Sequence, residues 1–581
     1  MAPRSVFDKR RIILAGTSLA ALALAGAAHA GPSGGTVNAG NASIAGDGTG
    51  HVTVTQTSDR AILDWNSFSI GTGESTRFIQ PGSTSVAVNR VTGADPSSIL
   101  GSLTANGRVV LINRNGIAFG KDATVDVGGL VATTADIDRQ AFMATGSLNF
   151  SGGSLPGASI VNEGRITVRD AGLAALVAPS VRNSGTIIAN LGRVALGAST
   201  AFTVDFYGDG LVSFAPDGIV AATIGDGGTA LVDNSGVIEA SGGKVLLSAA
   251  TARDVVNASV NVSGVVRADG ISRKGGSIVL SGSGSITATG RLSADSEKQG
   301  GGAIAISGSS VSLGGLISAS GTDGGAITVE ADGLLSLAEN IAATGRLGDG
   351  GTIRLDAGRI IETATSRNDA SGAVNGGAIR VVTEGGLATS GTYAADGVYG
   401  RGGRIDLSGA SVSLLSTHLS ARGRLAGGLV RIGGAFQGGK TPDAAQAYHS
   451  TFLGRWGSLE ALPSADTLFV GNAAAIDVSS LRGDGGTAVF WSDTRTTFLG
   501  SVDARGGRGG SVEISSAGDL RQAALDRVFT GAGGHLLLDP KNIVIGTVDD
   551  VESWQYAAIL GAVYANDSNP GTFADAIGAS I

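Results

Sequence analysis

From residue 242 onward one six-residue figure recurs: two glycines, a variable residue, an apolar residue, a variable residue and a second apolar residue. It opens at Gly242, Gly275, Gly301, Gly324, Gly350, Gly376, Gly402, Gly427, Gly485, Gly509 and Gly533. Successive starts are separated by 33, 26, 23, 26, 26, 26, 25, 58, 24 and 24 residues. A period near 25 repeated this often marks a solenoid, in which each unit buries its apolar positions only against its neighbours. Inside the unit the period is two. Ile353 and Leu355 flank Arg354, Ile405 and Leu407 flank Asp406, Val430 and Ile432 flank Arg431, and Val512 and Ile514 flank Glu513. Alternation of this kind predicts a strand with its apolar residues inside and the middle residue in water.

A second strand signal follows later in the unit, as in GLISASG (314–321) and ENIAATG (339–345). Two or three short strands per unit, with Gly, Asp, Asn and Ser at the corners, predict an all-β right-handed parallel β-helix, the hand taken from the parallel crossover rule. About 290 residues of such coils at the strand spacing give a rod of roughly 55 Å. The prediction is concrete: Ile327, Ile353, Ile379 and Ile405 should form one interior column. The 58-residue step hides one marker, and the segment 436–463 reads as a loop excursion from the rod.

Before residue 240 the texture differs. HVTVTQTSDRAILDWNSFSIG (51–71) alternates, STRFIQPGSTSVAVNRVTG (75–93) reads as strand, Pro-Gly turn and strand, and DPSSIL (95–100) reads as one helical turn capped by Asp95. In LINRNGIAFG (111–120) the Asn-Gly pair reads as a turn between two strands able to pair with each other. Residues 31–240 are thus expected to be an N-terminal β-rich cap, 241–535 the repeat region and 536–581 a C-terminal segment that reads as a truncated repeat region.

Composition narrows this further. Gly is 96 of 581 residues with only 11 Pro, which excludes collagen, and 42% hydrophobic content argues against disorder. The net charge of -8 gives no reason to expect a nucleic-acid partner. Residues 1–30 combine a basic start, an apolar run and the small residues Ala28 and Ala30 before Gly31, the form of a secretory signal peptide read by the Sec translocation machinery. With no Cys, the chain cannot be locked by oxidation before it folds, which suits export in an unfolded state.

The words ILDWNSFSIG, RFIQPGSTSVAVNRVTG, DPSSILGSLTANGRVVLINRNGIAFG and DVGGLVATT, in that order between residues 56 and 137, resemble the secretion domain of filamentous-haemagglutinin-type exoproteins of two-partner secretion systems. FYGDGLVSF (206–214), GGTAVFWSD (485–493) and GGHLLLDPKNIVI (533–545) also resemble pieces of that family. The resemblance implies that Asn113, Asn115, Gly116 and Ile117 hold the family's Asn-Pro-Asn-Gly-Ile secretion motif, with Arg114 in place of its Pro. It implies a partner, an outer-membrane transporter barrel, and an extracellular or cell-surface destination on a Gram-negative bacterium. It also implies an adhesin with a protein or glycan ligand; haem use or cytolysis are the alternatives, and a carbohydrate-active enzyme is a more distant one.

An enzyme or metal reading finds little. Arg354, Arg380, Asp406 and Arg431 could form one outer row, read as a solvated, charge-alternating face. Of His29, His51, His418, His449 and His535, only His449, beside Tyr448 in the excursion, is a place to look for ligand contact, and no pair has metal-ligand spacing. Gly-Asp-Gly at 46–48, 208–210, 348–350 and 483–485 reads as corners, and Arg482-Gly483-Asp484 as a chance tripeptide. No catalytic residues, cofactor or metal are expected. The ending DAIGASI carries no run of barrel strands, so a self-inserting transporter is not expected.

Overall fold

The computed structural model describes residues 31–204, 212–214, 230–249, 258–270, 275–439, 447–522 and 525–545. Residues 1–30, with Ala28 and Ala30, and residues 546–581 lie outside that set. The chain winds into a parallel β-helix with three strands per coil. Ladder 1 runs from Arg60–Trp65 to His535–Leu537, ladder 2 from Ser97–Ile99 to Pro540–Ile545, and ladder 3 from His51–Gln56 to Val528–Phe529. Seventeen strands in ladder 1 make sixteen steps, a rod of roughly 77 Å.

The expected column exists. Ile327 pairs with Ile353, Ile353 with Ile379 and Ile379 with Ile405, each at most 1% exposed. It continues to Val430, Ala488 and Val512 on one side, and through Ile304, Ile278 and Val245 to Val194 on the other. One hydrophobic core joins Val52 to Leu520. The second glycine of each pair owes its place to stacking. A Cβ on Gly351 would lie 2.1 Å from the Gly325 carbonyl oxygen, and one on Gly377 2.0 Å from that of Gly351. Only a residue without a side chain lets the coils close to strand spacing at this corner.

The coils do not start at residue 241. They are already parallel from His51–Gln56 onward, so the change of texture near 240 is not a change of fold. Its cause lies outside the rod. A helix, Arg139–Thr145, and an antiparallel sheet of Leu148–Ser151, Ala201–Val204 and Val212–Phe214 cover the outer face of ladder 1 there. Phe142, Phe150 and Phe202 pack in one cluster with Ile62, Val88, Val110, Val131 and Val177. Strands under this cover are buried on both faces, so Gly129–Thr133 and Leu173–Ala178 read as apolar runs and not as alternation. Among the described strands, antiparallel pairing is otherwise found in the first turn, where Thr36–Ala39 and Ala42–Ala45 close the N-terminal end against Arg60–Trp65 and His51–Gln56.

Two local expectations fail. Residues 95–100 do not form a helical turn; Ser97–Ile99 is a strand pairing in parallel with Ile117–Phe119. Arg108–Ile112 and Ile117–Phe119 do not pair with each other either, since the first belongs to ladder 1 and the second to ladder 2. The Asn-Gly corner redirects the chain by one side of the coil instead of reversing it.

The excursion folds back onto the rod. It contains a short 3-10 turn, Phe436–Gly439, and a helix, Ala447–Leu453, and it returns to ladder 2 at Thr467. Phe436 and Phe452 pack on Val489, Trp456 Nε1 donates to Thr487 Oγ1 at 3.2 Å, and Arg455 Nη2 donates to the Gly485 carbonyl at 2.7 Å.

Candidate secretion site and the surface of the coils

The Asn113–Gly116 corner is built from hydrogen bonds to the preceding coil. Asn113 is fully buried, and its Nδ2 donates to the Asp95 carbonyl and to Ser97 Oγ, both at 3.0 Å. Its Oδ1 accepts from the Asn115 N–H and from Asn115 Nδ2, also at 3.0 Å. Asn115 Nδ2 reaches on to the Gly93 carbonyl at 3.0 Å. The Gly116 N–H closes the turn on the Asn113 carbonyl at 3.1 Å, and the Gly116 carbonyl accepts from the Ser97 N–H. Gly116 sits at φ +117, and a Cβ there would meet the Ser159 carbonyl oxygen of the next coil at 2.9 Å. Ile117 points into the core. Arg114 alone of the five is exposed, its carbonyl accepting from the Leu155 N–H. The motif positions implied by the resemblance therefore form one bonded corner, with Arg114 at its outward tip.

The flanking words supply the rest of this end of the rod. Trp65 is fully buried, bonds Asn89 Oδ1 through Nε1 at 3.0 Å and meets Phe68 edge-on at 5.5 Å. Arg90 bridges two carboxylates, with Nη1 on Asp64 at 2.9 Å and a fork of Nε and Nη2 on Asp136. Burial pushes the Asp136 carboxyl up, but the bonds from Arg90 and the Ile137 N–H outweigh it and hold the group below its usual range.

Sequence reasoning missed an asparagine stack. Asn162 Nδ2 donates to Asn183 Oδ1 and Asn183 Nδ2 to Asn234 Oδ1, each at 2.7 Å, all three buried. The signal was present in VNEG, RNSG and DNSG, each an Asn shortly before a corner glycine.

The outer row Arg354, Arg380, Asp406 and Arg431 is not the solvated face expected. Arg354 is half-exposed, but Asp406 is 0% and Arg431 2% exposed, because the excursion lies over them. Arg431 forks onto Asp406, with Nε on Oδ1 and Nη2 on Oδ2 at 2.8 Å, and Nη2 also reaches the Glu460 carbonyl at 3.0 Å. The Glu460 carboxylate stands 3.3 Å from both Arg354 and Arg380. Glu513 is buried beneath the same cover and accepts from the Gln437 N–H. Burial drives its carboxyl up to about 8, against the pull of bonds from Ser515 and Gln437.

The remaining candidates do not converge. His449 lies edge-on to Phe436 at 6.1 Å, while the Tyr448 side chain is outside the described set. His51 Nδ1 pairs with Ser75 Oγ, and His418 is an exposed ladder 3 residue. Asp484 of the Arg-Gly-Asp triplet is held by Arg508 at 2.6 Å. Among the described residues no group of His, Asp or Glu could hold a metal, and no helix is long and apolar enough to cross a membrane.

The TPS secretion domain family matches residues 28–294, the region that contains this corner and its covering sheet. Residues 28–294 are a two-partner secretion domain. The match covers less than half of the chain and assigns the domain at this end of the rod. A heme/hemopexin-binding protein of Haemophilus influenzae strain Rd is 33% identical over 255 residues, which cover 43% of this chain and 27% of that protein. A second Haemophilus influenzae protein of the same description is 48% identical over 88 residues, 15% of this chain and 10% of its own length. The chain thus spans about a quarter of the first relative. Among solved structures, the secretion domain of Haemophilus influenzae HMW1 aligns over 89% of this chain and 100% of its own at 21% identity and a TM-score of 0.31. A filamentous hemagglutinin secretion domain aligns over 60% and 99% at 14% identity and a TM-score of 0.31.

Proposed function

We propose that the chain crosses the inner membrane unfolded through the Sec machinery, is led through a partner outer-membrane barrel by its first coils, and acts at the cell surface as a non-enzymatic adhesin. The supporting observation is the Asn113–Gly116 corner. Its side chains are bonded to residues of the preceding coil, so the motif that the family uses for export is also the piece that fixes the first coils in register. Recognition by the barrel and the start of folding then occur in the same few residues. Each later coil buries its apolar positions on the one before, which draws the chain outward without a nucleotide. The test is a strain lacking the transporter gene: the chain should vanish from the medium and cell surface and accumulate in the periplasm. Unchanged surface yield would refute the route.

A second reading of the surface role is supported by the two relatives, both heme/hemopexin-binding proteins. Surface-displayed chain should retain cells on a coated substratum if it is an adhesin, and should capture haem-loaded hemopexin from serum if it follows those relatives. The two assays on the same strain separate the readings.

A further inference from the structure

We infer that the outer face of ladder 3 between residues 396 and 529 is a binding groove for a neutral, polyhydroxylated chain, that is, an uncharged glycan. The inference rests on the surface-interaction reading and names the ligand class and the residues.

Two hollows of about 430 and 530 Å3 run together along successive coils, sharing a floor of Asp396, Arg422, Asp477, Asp503 and Arg505. From the Asp396 coil to the Phe529 coil the floor spans four steps, roughly 19 Å. Its hydrogen-bonding groups are only partly used. Arg422 commits Nε and Nη2 to Asp396, and Arg505 commits Nε and Nη2 to Asp503, which leaves Nη1 of each as a donor. Asp477 Oδ1 accepts from the Ser479 N–H, and its Oδ2 has only a 3.9 Å approach from Arg422. Donor, acceptor and donor therefore follow one another at one-coil intervals on Arg422, Asp477 and Arg505. Hydroxyl groups, which both give and accept, suit such a row; a carboxylate or sulfate would meet Asp477, and an ammonium would meet the arginines.

Charge points the same way. The two hollows are lined by four arginines and three aspartates, mostly paired with one another, so the groove offers little net field to a polyion. Apolar side chains stand beside the polar floor at three places. Val398 and Leu481 stand 59% and 78% exposed on the corner ridge beside the floor. Phe529 closes the far end at 44% exposed, with the Arg505 guanidinium 5.0 Å from its ring centre. Exposed apolar surface bordered by polar groups marks an interaction site when it is contiguous. Sugar rings carry C–H faces and hydroxyl edges and can use wall and floor at once. An added peptide strand has no edge to pair with, because the ladder 3 strands beneath the groove are already bonded to the coils on both sides.

The test is titration calorimetry on the full secreted chain with maltohexaose, cellohexaose and mannohexaose, and with a heparin hexasaccharide as the charged comparison. At least one neutral hexasaccharide should bind with a Kd below about 1 mM, and Arg505→Met should weaken it tenfold or more. Asp477→Asn, which keeps the size of the side chain, should do the same with the melting temperature unchanged. Binding of heparin alone, binding of none of the neutral sugars, or equal binding by both variants would overturn the groove, as would capture of a random peptide library abolished by the same substitutions. Export is scored on the same cells. Loss of sugar binding with export intact removes the groove and leaves the secretion reading standing, whereas wild-type export without the partner transporter removes that reading itself.

Discussion

At residue scale, Asn113 and Arg114 sit in one corner but differ in what their loss removes: Asn113 is buried and bonded, Arg114 exposed at the tip. Asn113→Ala strips a buried corner of four side-chain bonds and leaves Ser97 Oγ and the Asn115 N–H without their partner. Each abandoned buried group costs about 1–3 kcal/mol, so both the melting temperature of residues 31–294 and secreted yield should fall. Arg114→Pro acts at an exposed tip, where a fixed φ reduces the freedom of the unfolded chain. Stability should hold or rise by up to about 1 kcal/mol in urea melts, with secretion intact. Glu513 gives a pH signature. Its carboxyl stays protonated in the fold up to about 8, while an unfolded Glu ionises near its ordinary value. Between those limits the unfolded state releases a proton that the native state keeps, so stability should fall as pH rises from 5 to 8, by at most about 1.4 kcal/mol per pH unit. Glu513→Gln should flatten that slope in urea titrations taken at pH 5, 6.5 and 8.

At the scale of elements, the excursion behaves as a strap whose grip is uneven. Asp406→Ala leaves the Arg431 guanidinium buried with its fork unpaired and should cost about 3–5 kcal/mol. Glu460→Gln loses a half-exposed pair with Arg354, worth under about 1 kcal/mol, and keeps a polar amide beside the mostly buried Arg380, so it should cost clearly less than Asp406→Ala. Equal losses in urea unfolding would mean that the strap is not seated as described. The strap also marks where reading from sequence stopped. Alternation around Arg354, Asp406, Arg431 and Glu513 correctly placed Ile, Leu and Val inside, because strand geometry is local. It could not show that residues 436–463 would return to cover the outward charges, because that depends on contacts such as Arg354 with Glu460, 106 residues apart. The Asn113–Gly116 corner misled for a related reason. A hairpin and a coil corner ask the same turn chemistry of Asn-Gly, and only the strand partners, Ser97–Ile99 and Gly129–Thr133, tell them apart. Before residue 240, period-two alternation vanished where a second layer covered ladder 1.

At the scale of the whole molecule, the interior column makes the coils interdependent. Ile353→Asp would place a charge between Ile327 and Ile379, in a core without a partner for it. Secreted yield should drop sharply, with the chain retained in the periplasm and open to protease. Arg354→Asp, one residue away on the outer face, should leave yield near wild type. Equal yields from the two variants would sever folding from export.

Because the strands of the three ladders lie across the rod, tension along the axis loads the ladders as a zip is loaded and not in shear. Coils near Gly350 and Gly376 each hold 26 residues, which release roughly 90 Å of contour when freed. A rod tethered at one end to a cell in flow would therefore lengthen in discrete increments and yield gradually, as a shock absorber does, before the attachment itself was pulled away.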